Sequence, residues 1–331
     1  MTYDFITIGG ATRDISFFTD QGILINNPRD ILRQQLLAFE YGAKIRINTF
    51  NYTYGGGAAN AAVNLAHFGF KAACLSAIGD DENGRAIIKN LRARQVAVSL
   101  TKQIKAEHSG FSFIIISRTG ERIIFTERGA NGLLQITAKD EAALKNAKNI
   151  YISSLSGNWP PILKKVFAIA SRRGIRVAWN PSEAQYSAGL KKLMPFLKNT
   201  FIFSVNKDEA IELALAHSKL RGQKLKQAFL NDEKNLLKII KSYGPQIVLI
   251  TSGSQGAHVY DGQNFYYQPI YKEKKRVDTT GVGDIFNSTF AAGVELFKGD
   301  IQKALLLSAR NTASKIAHLG AQNGLLNINI K

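Results

Sequence analysis

The chain has 331 residues, 45% of them hydrophobic and 21% charged, the balance of an ordinary folded protein with room for a full core. No apolar run approaches the roughly 20 residues of a membrane span, the start Met1-Thr-Tyr-Asp-Phe-Ile lacks a secretory signal's basic and apolar regions, and the one cysteine, Cys74, excludes an internal disulfide. The net charge of +18 suits nucleic acid, an anionic membrane or an anionic substrate, but the basic residues are scattered in pairs such as Lys164-Lys165 and Arg172-Arg173, with one cluster at Lys272–Arg276. Without zinc-finger spacing or a basic stripe interleaved with aromatics, we read the charge as a solvated surface. A cytoplasmic protein is expected, with no nucleic-acid or membrane partner and with Cys74 as a small buried hydrophobe.

In chain order, a strand over Asp4–Ile8 runs into a Gly9-Gly10 turn and then Asp14. Residues 13–54 interrupt the pattern with strand-like pieces around a charged stretch. A glycine cluster, Gly55-Gly56-Gly57, opens a helix over Ala58–Phe68, followed by a strand over Lys71–Ile78 and a helix over Asn83–Arg94. Ser109–Arg128 reads as a hairpin turning at Arg118–Glu121. Strands over Asn149–Ser153, Ile175–Trp179, Thr200–Val205 and Gln246–Thr251 then alternate with helices over Pro160–Arg173, Asp208–Ala216 and Glu233–Tyr243, with Ser218–Lys234 as an exposed insertion. Helices over Asp284–Phe297 and Ile301–Leu319 close the chain. Short apolar runs alternating with amphipathic segments predict an α/β fold with a mainly parallel sheet, and the segments about 13–54 and 109–128 are candidates for a lid on a single domain spanning 1–331.

The most informative stretch is Asp278-Thr-Thr-Gly-Val-Gly-Asp284. A glycine turn feeding a helix presents unpaired N–H groups and the positive end of the helix dipole, a seat for phosphate. Asp284, on the first turn, can accept a proton from a hydroxyl attacking that phosphate, or it can simply cap the helix. Gly55 and Gly56 let a ligand approach the backbone, and Asn60 projects an amide suited to a polyol. Asp14 and Asn180 sit just beyond strand ends, where open α/β sheets bind ligands. Asn206 and Glu209 lie one helical turn apart, suited to hydrated Mg²⁺ or to capping. Thr251, Gly253 and Gly256 form a turn against which a nucleotide can lie. Neither Gly-x-Gly-x-x-Gly nor a P-loop is present, which disfavours a dinucleotide site and excludes a P-loop enzyme.

The order of these elements resembles the ribokinase-like, or PfkB, family of carbohydrate and nucleoside kinases over nearly the whole chain. Gly55-Gly56-x-x-x-Asn60, Asn206-x-x-Glu209, Thr251-x-Gly253-x-x-Gly256 and Asp278-Thr-Thr-Gly-Val-Gly-Asp284 match its successive motifs. The resemblance implies a three-layer α/β/α domain with a β-sheet lid, ATP and Mg²⁺, and a small-molecule acceptor. It implies Asp284 as base, Gly281, Val282 and Gly283 as an anion hole, and Asp14, Gly55, Gly56, Asn60 and Asn180 as acceptor ligands. Thr251, Gly253, Gly256 and Thr279 would face the nucleotide, with Asn206, while Glu209 and Asn206 organise Mg²⁺ through water. It further implies K⁺ beside Asp278 and Thr280, with carbonyls near His318 and Gly320, and either a monomer or a homodimer through the lid. Ribokinase has a lysine where this chain has Gly57, and the nearest counterpart of its sugar-contacting glutamate is Ser156. A sugar or sugar-acid kinase leads; a nucleoside kinase would use Phe17, Phe18, Phe111, Phe113 or Phe125 against a base, and a catalytically silent binding protein is the third reading.

Overall fold

The computed structural model describes residues 2–27, 35–116, 122–216 and 227–327. Eight strands form the central sheet, in the order Phe265–Gln268, Ala257–Tyr260, Ile247–Thr251, Ile202–Asn206, Arg176–Trp179, Ala147–Ile152, Tyr3–Ile8 and Ala72–Leu75. The six strands from Ile247–Thr251 onward run parallel, and the two at the other edge are antiparallel. That antiparallel pair is not foreseen by the sequence reading. The expected strand Lys71–Ile78 divides, because Ala77–Gly79 leaves the central sheet to pair with Lys102–Ile104.

Side chains alternate across a strand, so each central strand feeds two cores. Ile6, Ile8, Ile150 and Ile152 enter the layer that holds Leu163, Leu213 and Leu237 of the helices on one face. Phe5 and Tyr151 enter the opposite layer with Leu65, Phe290 and Leu305. Trp179 anchors the first layer, its ring 5.5 Å from Phe203 and 5.9 Å from Phe167, and truncating it to alanine should cost about 3–5 kcal/mol. This is a three-layer α/β/α fold.

A second, four-stranded sheet consists of Arg122–Glu127, Phe111–Ile116, Thr12–Phe18 and Thr49–Gly55. Both irregular segments of the sequence thus supply its strands. Of the hairpin's turn, residues 117–121 lie outside the described residues, as do 218–226 of the expected insertion, whose next described part is the helix Gln227–Asn231. Among the described residues no helix is long and apolar enough to cross a membrane.

Candidate active site

At several helix starts a side chain caps the end: Asp81, Thr137, Asn206, Asp232 and Asp300 each accept a hydrogen bond from their own first turn. The helices Gly57–His67 and Val282–Leu296 are not capped in this way. They open on Gly56 (φ 85°) and Gly281 (φ 72°), with no side-chain cap. Only glycine adopts such angles without cost, and at Gly56 a β-carbon would lie 2.5 Å from the Gly10 carbonyl oxygen. The two bare ends converge on one carboxylate. Asn60 Nδ2 donates to Asp284 Oδ2 at 2.8 Å, and a β-carbon on Gly57 would lie 3.1 Å from Asp284 Oδ1. A buried polar cluster holds the helices in this relation: Asn64 Nδ2 donates to Ser288 Oγ at 2.8 Å and Thr289 Oγ1 at 2.9 Å, and Asn311 Nδ2 donates to Asn64 Oδ1 at 2.8 Å. Burial pushes the Asp284 carboxyl above the usual carboxylate range, against the lowering by the Asn60 amide and the Arg122 charge.

Around Asp284 lies a cleft of about 470 Å³, walled by the Gly55–Gly57 turn, by Asp14, Ser112 and Ile114 of the second sheet, and by Asn180 and Asn206 at the ends of central strands. A second cleft, of about 490 Å³, runs along Gly253, Gly256, Thr279 and Val282. The two share Arg122, Asn206, Thr251 and Gly283. A β-carbon on Gly283 would meet nothing within 4 Å, so the shared wall is open where the helix begins. Asp14, 3% exposed, accepts from Thr12 Oγ1 at 2.9 Å. Burial pushes its carboxyl up to about 6, opposed by the Thr12 and Ser112 hydroxyls and aided by the charges of Asp278 and Asp284.

Comparison with known proteins gives the family and the fold. Residues 26–328 match the family described as pfkB family carbohydrate kinase. The chain belongs to that family. Its members are phosphotransferases with an alcohol group as acceptor. The chain is 28% identical over 292 residues to the bifunctional ribokinase/ribose-5-phosphate isomerase A of Fructilactobacillus sanfranciscensis, covering 86% of itself and 50% of that protein; it therefore spans half of that relative's length. Its fold matches the ribokinase of Giardia lamblia with a TM-score of 0.79 at 21% identity, covering 98% and 97% of the two chains. It matches a Burkholderia thailandensis nucleoside kinase in complex with inosine at 0.73 and 16%, covering 97% and 94%.

Within this pfkB kinase the sequence-predicted residues fall into three groups. Asp14, Gly55, Gly56, Asn60, Asn180, Glu209, Thr280, Gly281 and Asp284 line the Asp284 cleft, Gly253, Gly256, Thr279 and Val282 line the second, and Asn206, Thr251 and Gly283 line both. Asp278 lines neither and lies buried behind them. Two expectations change in detail. Asn60 is already engaged on both sides of its amide, one N–H going to Asp284 while Gln322 Nε2 donates to its Oδ1 at 3.0 Å, which leaves its second N–H for a ligand. Val282 N–H already leans on the Thr279 carbonyl at 3.3 Å. Of the stretch 153–157, Ser154 lines the cleft rather than Ser156. Of the five phenylalanines considered for stacking a base, none lines it; alternation along the paired strands Thr12–Phe18 and Phe111–Ile116 sends Asp14, Ser112 and Ile114 inward and Phe113, 42% exposed, outward.

Sequence reasoning missed Arg122, whose guanidinium donates to the Thr279 hydroxyl, and Arg128, which lines the Asp284 cleft; a lone strand arginine carries no local signal. It also missed Asn287, one turn beyond Asp284, whose buried Oδ1 has no hydrogen-bond partner among the described residues. The spacing i, i+3 from Asp284 puts it on the same helix face and was the available clue.

The residues present fit Mg²⁺ better than K⁺. Asn206 and Glu209 form a capping box, Oδ1 and Oε2 each accepting a backbone N–H at 2.9 Å. This fixes Glu209 at the cleft with its second oxygen left over. Burial pushes its carboxyl up to about 7, helped by Glu212 and Asp208 and opposed by the Asn206 N–H. Such a carboxylate gains from a neighbouring cation. At Asp278, Oδ1 accepts from Thr280 N–H at 2.8 Å and Oδ2 from Gly320 N–H at 2.7 Å, and the Lys315 ammonium stands 3.9 Å from Oδ2. A positive charge is already in place there.

Proposed function

We propose that this chain is an ATP-dependent kinase acting on a hydroxyl of a sugar or sugar acid. One observation carries the reading: two clefts meet at Gly283, where an uncapped helix end faces the junction and Asp284 stands on the acceptor side. ATP lies along Thr251, Gly253, Gly256 and Thr279, and the acceptor lies between Asp14, the Gly55-Gly56 turn and Asn180. Asp284 takes the proton of the acceptor hydroxyl as that oxygen attacks the γ-phosphorus. The bond from γ-phosphorus to the β–γ bridging oxygen breaks, and ADP leaves. The first-turn N–H groups of Gly281 and Gly283, and the Arg122 guanidinium, meet charge on the moving phosphoryl group. Mg²⁺, held through water by Glu209 and Asn206, would neutralise phosphate charge.

The second sheet is the lid over the acceptor, within one domain spanning the chain. Its outward face carries Phe113 and Phe125, 42% and 57% exposed, and a second copy of the chain is its occupant in our reading. Arg122 and Arg128 are the positive side chains on a wall that also carries Asp14, Glu209 and Asp284, and in our reading an anionic group on the acceptor would face those two arginines. Among the described residues no aromatic ring lines the acceptor cleft, which weighs against a nucleoside.

The test is ADP release from ATP and Mg²⁺ against sugars, sugar acids, sugar phosphates and nucleosides, with Asp284→Asn in parallel. Turnover on a sugar class, lost by roughly two decades in the variant, supports the proposal. Turnover on nucleosides alone would replace the acceptor class, and ATP binding without turnover on any of them would favour a silent binding protein.

A further inference from the structure

The turn that carries the anion hole rests on a buried lysine. Lys315, in the last turn of the helix Ile301–Ile316, is 0% exposed. Its Nζ donates to the Asp278 backbone carbonyl at 2.7 Å and stands 3.9 Å from Asp278 Oδ2. Asp278 in turn accepts the N–H groups of Thr280 and Gly320. One carboxylate and one ammonium thereby tie three things together: the start of the glycine turn, the end of the last helix, and the loop after it. That loop reaches the active site, since Ala321 packs against the position a β-carbon of Gly281 would take, and Gln322 holds Asn60.

A buried ammonium persists only when paired and hydrogen-bonded, and Asp278 meets both needs. The pair is neutral as it stands. A potassium ion added beside the same carboxylate would bring a second positive charge into a site closed to solvent, where among the described residues Asp278 is the one carboxylate paired with Lys315. An ammonium and a monovalent cation offer the same chemistry at this place: one positive charge, collecting carbonyl and carboxylate oxygens.

We infer that Lys315 is a tethered monovalent cation, which positions the Asp278–Gly283 turn and makes the phosphoryl transfer independent of added K⁺. The inference rests on the reading of that turn as an anion hole. Lys315 is a positioning residue, since it touches the turn and not the reactants.

The experiment compares the full-length protein with Lys315→Ala and Lys315→Met in choline chloride and in KCl at constant ionic strength. It reads the melting temperature, ADP affinity by calorimetry, and turnover on the acceptor found in the panel. Expected for the native protein are melting temperature, ADP affinity and turnover unchanged within twofold between the two salts. Lys315→Ala should lose at least tenfold in kcat/KM in choline and recover at least fivefold in KCl, with a higher melting temperature in KCl, because K⁺ enters the vacated space. Lys315→Met fills that space without charge, and should be impaired and unresponsive. A lysine that merely packs would not give a cation-selective rescue.

A native protein stimulated fivefold or more by K⁺, or melting higher in K⁺ than in choline, would overturn the inference; so would a folded Lys315→Ala that K⁺ does not rescue. If Lys315→Ala fails to fold in either salt, the native protein's response and that of Lys315→Met decide. Should no acceptor be turned over, melting and ADP binding still report on Lys315, so the failure of the kinase reading is seen separately.

Discussion

Two helix starts flank the same cleft and are built in opposite ways. At Asn206–Glu209 the helix satisfies itself: side chain and backbone exchange hydrogen bonds at 2.9 Å in both directions. At Gly281–Asp284 the helix has no side-chain cap, and its acidic residue turns instead to Asn60, 224 positions away. An acidic residue at a helix start therefore says little by itself. The difference lies in the residue before the helix, since asparagine caps and a glycine in the left-handed region does not. A self-satisfied start spends its N–H groups and keeps one carboxylate oxygen for a cation. A bare start keeps its N–H groups for an anion.

The largest expected effect comes from removing the base at the bare end. Asp284→Asn should lower kcat by about 10² to 10⁴, or roughly 3–5 kcal/mol of barrier, while calorimetry shows no loss of stability, because burial already disfavours the carboxylate. A smaller loss, below tenfold, would make Asp284 a structural residue. Gly283→Ala comes next. The fold has room for the methyl, which points into open space, so melting should be unchanged while turnover falls by roughly 10², the scale of spoiling one oxyanion donor. Gly281→Ala sharpens the contrast, since the positive φ and Ala321 oppose any side chain there and stability itself should drop by about 1–2 kcal/mol or more.

Asp14→Asn should raise KM for the acceptor and stabilise the protein. Its carboxyl rises from 3.8 to about 6 on burial, so ionisation costs the folded state up to about 3 kcal/mol at about 1.4 kcal/mol per pH unit. That cost is fully present above pH 6 and fades as pH falls toward 3.8. The variant's gain in melting temperature should therefore be greatest near pH 8 and vanish near pH 4; a gain that grows with acid would contradict it. Glu209→Gln gives the smallest effect. Glutamine can keep the capping box but not the charge, so the Mg²⁺ concentration for half-maximal activity should rise by about tenfold, and without metal the variant should melt higher at pH 8 than the native protein, because burial raises the Glu209 carboxyl from 4.5 to about 7.

Much of this was legible in the residue order, for local reasons. Apolar runs of strand length marked five of the six parallel strands closely, and glycines before an amphipathic stretch marked the two bare helix starts at the cleft. The antiparallel edge, Ala257–Tyr260 with Phe265–Gln268, escaped because exposed edge strands carry no continuous apolar run. Arg122, Gln322 and Lys315 escaped for another reason. Each acts on a partner more than 30 positions away, and no local pattern encodes that.

The sequence by itself determined the alternation of elements, the glycine turns and the acidic residues they carry, because turn geometry and helix starts depend on neighbours in the chain. Only the tertiary structure decided which helix start is bare and which is self-capped, that Asn60 donates to Asp284 across the fold, that Phe113 and Phe125 of the second sheet are exposed, and that a lysine 37 positions from Asp278 stands beside it. Burial and pairing across the fold set those roles, and burial is a property of the packed chain.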